Sequence, residues 1–374
     1  MNSVSVDRGE ASQAITTFEV RVFAGTQACL EALAVDIDAA QFTPFQHRAW
    51  LESWACSFPD AAVPDVFLVE VRDRTTGAVV LRLPLGFERR SGVRVLRGWD
   101  GGASDYNGPV LASDVCLPAP MVRLLWPKIV AALPPCDVLA LIRMPTRIGR
   151  RENPLLDLPG IVRSANSAHI VRLSARPAGA LADGYDQSMR HSLDRKRRKL
   201  QNKGALVFRQ RKAHEALDVL EALLSWRRDR FAEMNRKGDV ERIETFWRRL
   251  ASQTDIAYVA DLTLDGRLLA GGFGARTGDG FHLLSIGFDP TWKNWSPGLV
   301  LVDEMLKLAQ ADELELFDFT VGEEGYKLKF GAEAEPLFDL YRARSLKGFL
   351  ALMWLKLQRS KANTAKQRDT DESK

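Results

Sequence analysis

The chain has 374 residues; 46% are apolar, 27% charged and 9% aromatic, with 52 basic against 48 acidic side chains. This length and apolar content can bury one large core or two ordinary ones, which excludes global disorder. A net charge of only +4 excludes the dense basic footprint of a dedicated nucleic-acid binder.

Cys29, Cys56, Cys116 and Cys136 are widely spaced and form no CxxC pair, which excludes a zinc ribbon or a redox motif. They read as buried free thiols of a reducing compartment. No basic segment followed by an apolar run opens the chain. The apolar patch 348–357 is about half the length of a bilayer span. Together these features predict a cytoplasmic protein without a transmembrane segment. The five histidines show no ligand spacing, so no metal is expected. No GxSxG elbow is present.

In chain order, residues 17–23 alternate as a half-buried strand and 26–36 suit a helix. Phe45, Trp50, Leu51 and Trp54 fall at helical spacing and read as core. Strands are predicted at 66–72, 78–87 and 93–98, then a Gly/Asp/Asn loop at 99–109, a helix at 118–132 and a strand at 137–142. The Pro-, Gly- and Arg-rich stretch 145–166 reads as a crossover. A short strand at 169–173 and a basic helix at 189–204 follow. Then come a strand at 207–211, helices at 213–235 and 241–252, and two strands at 256–264 and 267–275 around the Asp265–Gly266 turn. A strand at 281–288, a helix at 299–311, a strand at 314–320, a short helix near 325–330 and a strand at 337–344 complete the order. The two halves rhyme: each has a strand, a helical insert, a hairpin, a further strand, a loop, a helix and a strand. This predicts tandem α/β modules at 17–165 and 166–350, each a mixed central sheet flanked by helices, with the acceptor in a cleft between or beside them. Mobile polar tails are predicted at 1–16 and 358–374.

The segment 262–344 carries the chemistry. Its strand HLLSIGFDP leads through TWKNWSPG directly into a helix. A small-residue loop at a helix start offers backbone N–H groups and the positive end of the helix dipole to an anion such as a pyrophosphate; it also serves as an ordinary turn and cap. The order DGRLLAGGFGA, HLLSIGFDPTWKNWSPGLVLVDEML and LFDFTVGEEGYKLKFG resembles the GNAT-fold acetyltransferases, in particular the CelD-type subgroup linked to cellulose and exopolysaccharide biosynthesis. TPFQHRAWLESW, the LPLGF strand and VLRGWDGGASDYNGPVL extend the resemblance over about residues 17–345. It implies an acyl-CoA, most simply acetyl-CoA, as co-substrate. Ser296, Pro297, Gly298 and Leu299 would form the phosphate-binding turn, and the strand through Ile286, Gly287 and Phe288 the acyl-pantetheine edge. Tyr326 would protonate the leaving thiolate. The usual Arg/Gln-x-x-Gly-x-Gly/Ala signature is absent, and Pro297 removes one loop donor.

Acyl transfer needs an oxyanion donor, a base and an acid. Asp318 is either that base or an acceptor for N–H groups of the next turn. Glu323 and Glu324 are either functional or ordinary helix-start carboxylates. Tyr326 and Lys327 could equally be a packed tyrosine and a solvated lysine. Asp105 and Tyr106 suit a saccharide acceptor or plain turn chemistry. Trp292 and Trp295 line an acceptor groove or cover the helix start. The basic run Arg190, Arg195, Lys196, Arg197, Arg198, Lys199 and Lys203 is a solvated face, a seat for anionic substrate or the CoA 3′-phosphate, or a contact for an anionic membrane. The leading expectation is an acyltransferase acting on an amino or hydroxyl group of a saccharide or envelope precursor. The alternatives are a Fem-like transferase drawing on charged tRNA and a non-catalytic accessory of the polysaccharide-synthesis machinery.

Overall fold

The computed structural model describes residues 17–34, 40–57, 66–112, 117–176, 179–233, 240–278 and 280–371. The chain runs β1 (Phe18–Ala24), α1 (Thr26–Ala34), α2 (Arg48–Ser57), β2 (Val66–Asp73), β3 (Val79–Arg90), β4 (Val93–Gly98) and β5 (Val110–Leu111). Next are α3 (Ala119–Ala132), β6 (Val138–Pro145), β7 (Arg147–Ile148), β8 (Arg151–Glu152) and β9 (Ile161–Arg172). Then follow α4 (Gln187–Gln201), β10 (Leu206–Lys212), α5 (Leu217–Glu233), α6 (Val240–Gln253), β11 (Ala257–Leu264), β12 (Arg267–Thr277) and β13 (Gly280–Phe288). The last elements are α7 (Pro297–Ala311), β14 (Leu316–Val321), α8 (Tyr326–Lys329), β15 (Glu333–Ala343) and α9 (Leu346–Asp371).

The predicted order of elements holds, with several differences: β5 is an added strand, and the stretch read as a crossover holds the β7–β8 pair. The strand predicted at 169–173 is the end of the longer β9. The helix predicted at 213–235 opens with a 3-10 turn at Ala213–Glu215, and α5 starts at Leu217. α9 passes residue 358, where the sequence suggests a tail, and runs to Asp371. After Gly348 it meets no Gly or Pro, and Ala, Lys, Gln and Arg favour helix. The tail predicted at 1–16 lies outside the described residues, as does Cys116; Cys29, Cys56 and Cys136 are free thiols.

Two compact units emerge, one of residues 1–41, 61–164 and 338–374, the other of 42–60 and 165–337. Residues 42–60 group with the second unit because Trp50 and Trp54 of α2 meet Phe246 of α6 edge-on, with centroids 4.9 and 5.3 Å apart. Residues 338–374 group with the first because β15 lies beside β6, where the Arg143 N–H donates to Asp339 Oδ1 at 2.8 Å.

In the first unit the strand order is β1-β2-β3-β4-β6-β15, with β1 to β4 antiparallel and β4 parallel to β6. Leu83, Leu85, Leu96, Leu139 and Leu141 pack with Leu125 and Trp126 of α3 into one core. The second unit has the order β9-β14-β13-β12-β11-β10. β10 to β13 are antiparallel, β13 runs parallel to β14, and β9 pairs antiparallel with β14. Asp265 and Gly266 take φ of 48° and 81° in the β11–β12 turn, the left-handed values that an Asp-Gly hairpin turn requires. Leu262, Leu269, Phe281 and Phe317 form a core with Val300, Leu301 and Met305 of α7. Both units thus repeat one mixed α/β layout: antiparallel strands, then a parallel partner reached through a helix.

Candidate functional site

The site is built where β13 and β14 separate. Their parallel pairing covers only Gly280 with Leu316, Phe281 with Phe317 and His282 with Asp318. Beyond these pairs the strands part, so the β13 edge from Leu283 to Phe288 forms no ladder with β14 among the described residues. At the parting point Thr320 takes φ of 57° and its hydroxyl donates to the Leu283 carbonyl at 3.1 Å. The Asp318 carboxylate accepts the Thr320 N–H at 2.7 Å and secures that strained turn. The register between β14 and β9 shifts at the same place.

α7 begins at the far end of β13. A 3-10 turn, Pro290–Trp295, carries the chain round, and Ser296 takes the left-handed φ of 48° with no side-chain cap. Pro297 occupies the first helical position, where its missing N–H costs the helix nothing. A Cβ on Gly298 would lie 3.4 Å from Phe288 Cδ1, so the helix start rests closely on β13. Gly287 is needed for packing: a Cβ there would come within 2.8 Å of Leu223 Cδ1 on α5.

The basic helix α4 is fastened to α7. Its start is capped by Asp186, and Met189, Leu193 and Leu200 are buried. Arg197 pairs with Asp303 and Glu304 of α7. That anchor brings Lys196 Nζ to 2.9 Å from Ser296 Oγ, directly at the α7 N-terminus. Burial, then the charges of Arg195 and Lys199, hold the Lys196 ammonium below its ordinary pKa. Lys203 lies over the Trp295 ring at 5.4 Å and Arg267 over Trp292 at 5.9 Å, while the two indoles are 5.1 Å apart. These tryptophans flank the helix start from a half-buried position.

Tyr326 opens α8 and packs edge-on against Phe319 and Phe330, with centroids 5.9 and 6.5 Å away. Burial, then the Glu324 charge, push its phenol above the ordinary value, so it stays protonated at neutral pH. The neighbouring residues have structural tasks. Lys327 is buried, donates to the Val321 and Gly322 carbonyls at 3.2 and 3.0 Å, and pairs with Glu324 at 2.9 Å. Such an ammonium is a clamp on the β14–α8 loop, neither solvated nor offered to a substrate. Glu323 is exposed, accepts the Ser167 N–H at 3.1 Å and lies 3.6 Å from His169 Nε2. Asp318 is 1% exposed and serves Thr320. His282 Nε2 lies 3.6 Å from Asp318, and burial lowers the His282 pKa to about 3, leaving it neutral.

Asp105 and Tyr106 belong to the first unit. Tyr106 is 2% exposed, so it is a core residue there and presents no surface for a saccharide. Asp105 is half-buried, 3.7 Å from Arg143 Nη1. Arg143, itself at φ 54°, also donates to the Ser104 carbonyl at 2.5 Å and straps the loop to β6. Asn107 donates to the Ile142 carbonyl at 3.1 Å. In the second unit Ile286 and Phe288 lie against Gly298, next to Ser296, Pro297 and Leu299 in the chain, and Trp292 and Trp295 lie together in the turn before them, while Tyr326 packs on Phe319 and Phe330. To these it adds Lys196, whose place in a long basic run hid its contact with Ser296, and Thr320, whose backbone strain has no sequence signature. Among the described residues no cluster of three or more His, Cys, Asp or Glu could hold a metal.

Comparison with known proteins agrees with this layout. Residues 187–328, from α4 into α8, match the family described as the acetyltransferase (GNAT) domain. No curated protein matches the sequence. Among solved structures, FemX aligns at 11% identity and a TM-score of 0.56, over 85% of this chain and 96% of that one. A conserved protein of unknown function from Bacteroides thetaiotaomicron VPI-5482 aligns at 13% identity and a TM-score of 0.54, over 86% and 99%. A tandem GNAT protein from the clavulanic acid biosynthesis pathway aligns at 15% identity and a TM-score of 0.44, over 87% and 99%. At such identities the likeness is one of fold.

Proposed function

We propose that this chain is an acyl-CoA-dependent acyltransferase, with acetyl-CoA the simplest donor. The acceptor would be an amino or hydroxyl group of a saccharide or of an envelope or exopolysaccharide precursor. The observation that carries the reading is the parting of β13 and β14 beside a helix start that Lys196 already attends. The match of residues 187–328 to a GNAT domain supports it.

The fit of the donor rests on the chemistry of these groups. The α7 N-terminus and Lys196 suit a pyrophosphate, combining backbone donors, helix dipole and a point charge. Arg195 and Lys199, next to Lys196 in the run, suit a further phosphate. The unpaired β13 edge suits an amide-bearing arm, which can add to it as a strand would. The donor supplies an activated acyl group; the chain's own task is positioning and proton handling. A β13 N–H in 284–288 polarises the reacting carbonyl. Tyr326, held protonated, donates a proton to the departing sulfur, and the proton that the acceptor sheds as its bond to the acyl carbon forms restores the phenol. Asp318 and Lys327 keep the turn and loop around Tyr326 in place. Trp292 and Trp295 border the acceptor approach. The acceptor class rests on the CelD-type resemblance.

Isothermal titration with acetyl-CoA tests the reading. Binding in the micromolar range is expected, and no heat at millimolar concentration would sink it. One observation favours a second reading: the basic helix α4 beside the site, together with a fold like that of FemX, suits a Fem-like transferase drawing on charged tRNA. Filter binding of tRNA that vanishes when 195–199 are neutralised, with no response to acetyl-CoA, would select it. Association with polysaccharide-synthesis components without turnover of any donor would instead indicate an accessory role.

A further inference from the structure

The helix α9 presents an apolar face that none of the described residues covers. Leu346, Phe349, Leu350, Met353, Trp354 and Leu357 are each between 47% and 75% exposed. Their spacing is i, i+3, i+4, i+7, i+8 and i+11. At ~100° per residue this places all six on one stripe about 140° wide. The back of the same helix is held to the first unit. Gly348 is buried so closely on the Asp137 carbonyl that a Cβ would come within 1.9 Å of it. Lys347 Nζ donates to the Gly92 carbonyl at 2.5 Å. The stripe thus faces away from the point where the helix start is held and is too contiguous to be scattered surface apolarity; further along, Leu355, 43% exposed, lies on the opposite side.

Charge identifies the occupant. Lys347 and Lys356 border the stripe on its two sides. From Leu346 to Arg368 the sequence holds six bases, Lys347, Lys356, Arg359, Lys361, Lys366 and Arg368, and no acid. A second copy docked on this face would set Lys347 and Lys356 against their own kind. An anionic lipid surface would instead neutralise them. Trp and Phe within the stripe, with lysines along its rims, are the composition of a helix lying in the plane of a headgroup layer. Among the described residues no helix is long and apolar enough to cross a membrane, and the bases after Leu355 interrupt any such span.

We infer that α9 is an interfacial anchor that docks the protein onto an anionic lipid surface, with the stripe in the acyl boundary and Lys356 at the headgroups. The test is co-sedimentation of the full-length protein with phosphatidylcholine vesicles, with and without phosphatidylglycerol. Binding is expected only with phosphatidylglycerol and is expected to weaken as salt rises. A triple variant, Phe349→Ser with Met353→Ser and Trp354→Ser, should lose it. Lys356→Glu, an exposed change that keeps the apolar stripe, should weaken it about tenfold or more. This second variant reads the same property should the triple variant fold poorly. Equal binding to both vesicle types, or binding that survives both variants, overturns the inference. A dimer that the triple variant dissociates, with no vesicle binding by the parent chain, also overturns it.

Discussion

Lys196→Met separates a ligand-binding role for the basic helix from a merely solvated one. The ammonium lies 2.9 Å from Ser296 Oγ at the start of α7. A phosphate seated at that helix start would lie about 5 Å from it, and at an effective dielectric of ~20 one pair of unit charges is worth roughly 3 kcal/mol. Lys196 is only half-buried, so solvent screening reduces this to about 1–1.5 kcal/mol, or roughly tenfold in Kd. The sign of the stability change points the other way. A lysine whose folded pKa lies below its unfolded value binds its proton more tightly in the unfolded chain. At neutral pH, with the group charged in both states, the shift therefore costs the fold. Replacing it should leave the unfolding midpoint unchanged or slightly raised. The assay is calorimetric titration of CoA at low and high salt, paired with urea unfolding. Affinity should fall about tenfold at low salt, less at high salt, without loss of stability. A Kd within twofold of the parent would refute the electrostatic reasoning, and a loss of stability would mean that Lys196 is structural.

Three further outcomes are expected. Tyr326→Phe should lower turnover about a hundredfold or more, as removal of a general acid does, while donor affinity stays within about twofold; unchanged turnover would make the tyrosine a packing residue. Asp318→Ala should destabilise the fold by about 1–3 kcal/mol in urea unfolding, because the Thr320 N–H loses its acceptor, and Asp318→Asn, which retains an acceptor, should recover most of it. An Asp318→Ala protein of parental stability but without activity would instead point to a catalytic carboxylate. His282, with a folded pKa of about 3, lies below its unfolded value, so the unfolded chain takes up the proton first. The stability it contributes is complete above the ordinary histidine range and declines as pH falls toward 3. Comparing unfolding midpoints at pH 7 and pH 4 should show a shallower acid loss in His282→Gln; an identical slope would show that His282 plays no part in it.

Much of the second unit was legible because its signals are local. Asp265–Gly266 marked the turn between β11 and β12, and the loop before α7 announced a helix start suited to an anion. The carboxylate and lysine beside Tyr326 were ambiguous for an equally physical reason. A short polar side chain after a strand can serve a ligand or its own backbone, and only the backbone path shows which. Thr320 at φ 57° claims Asp318, and the carbonyls of Val321 and Gly322 claim Lys327. Tyr106 sits in a run of turn residues, yet it is buried, in a loop that Arg143 straps to β6.

Sequence alone therefore determined the mixed α/β class, the repeated order of elements and the chemistry available at the start of α7, since these depend on periodicities and neighbours within a few residues. Tertiary structure decided what depends on distant partners. The parallel strands β13 and β14 are joined through a helix, and the length of their pairing, which decides where they part, is not written in either strand. Lys196 and Ser296 are 100 positions apart and meet because Arg197 ties α4 to α7. The surplus of positive charge gained its meaning in the same way: part of it stands at a helix dipole, and part borders an apolar stripe that folding leaves uncovered.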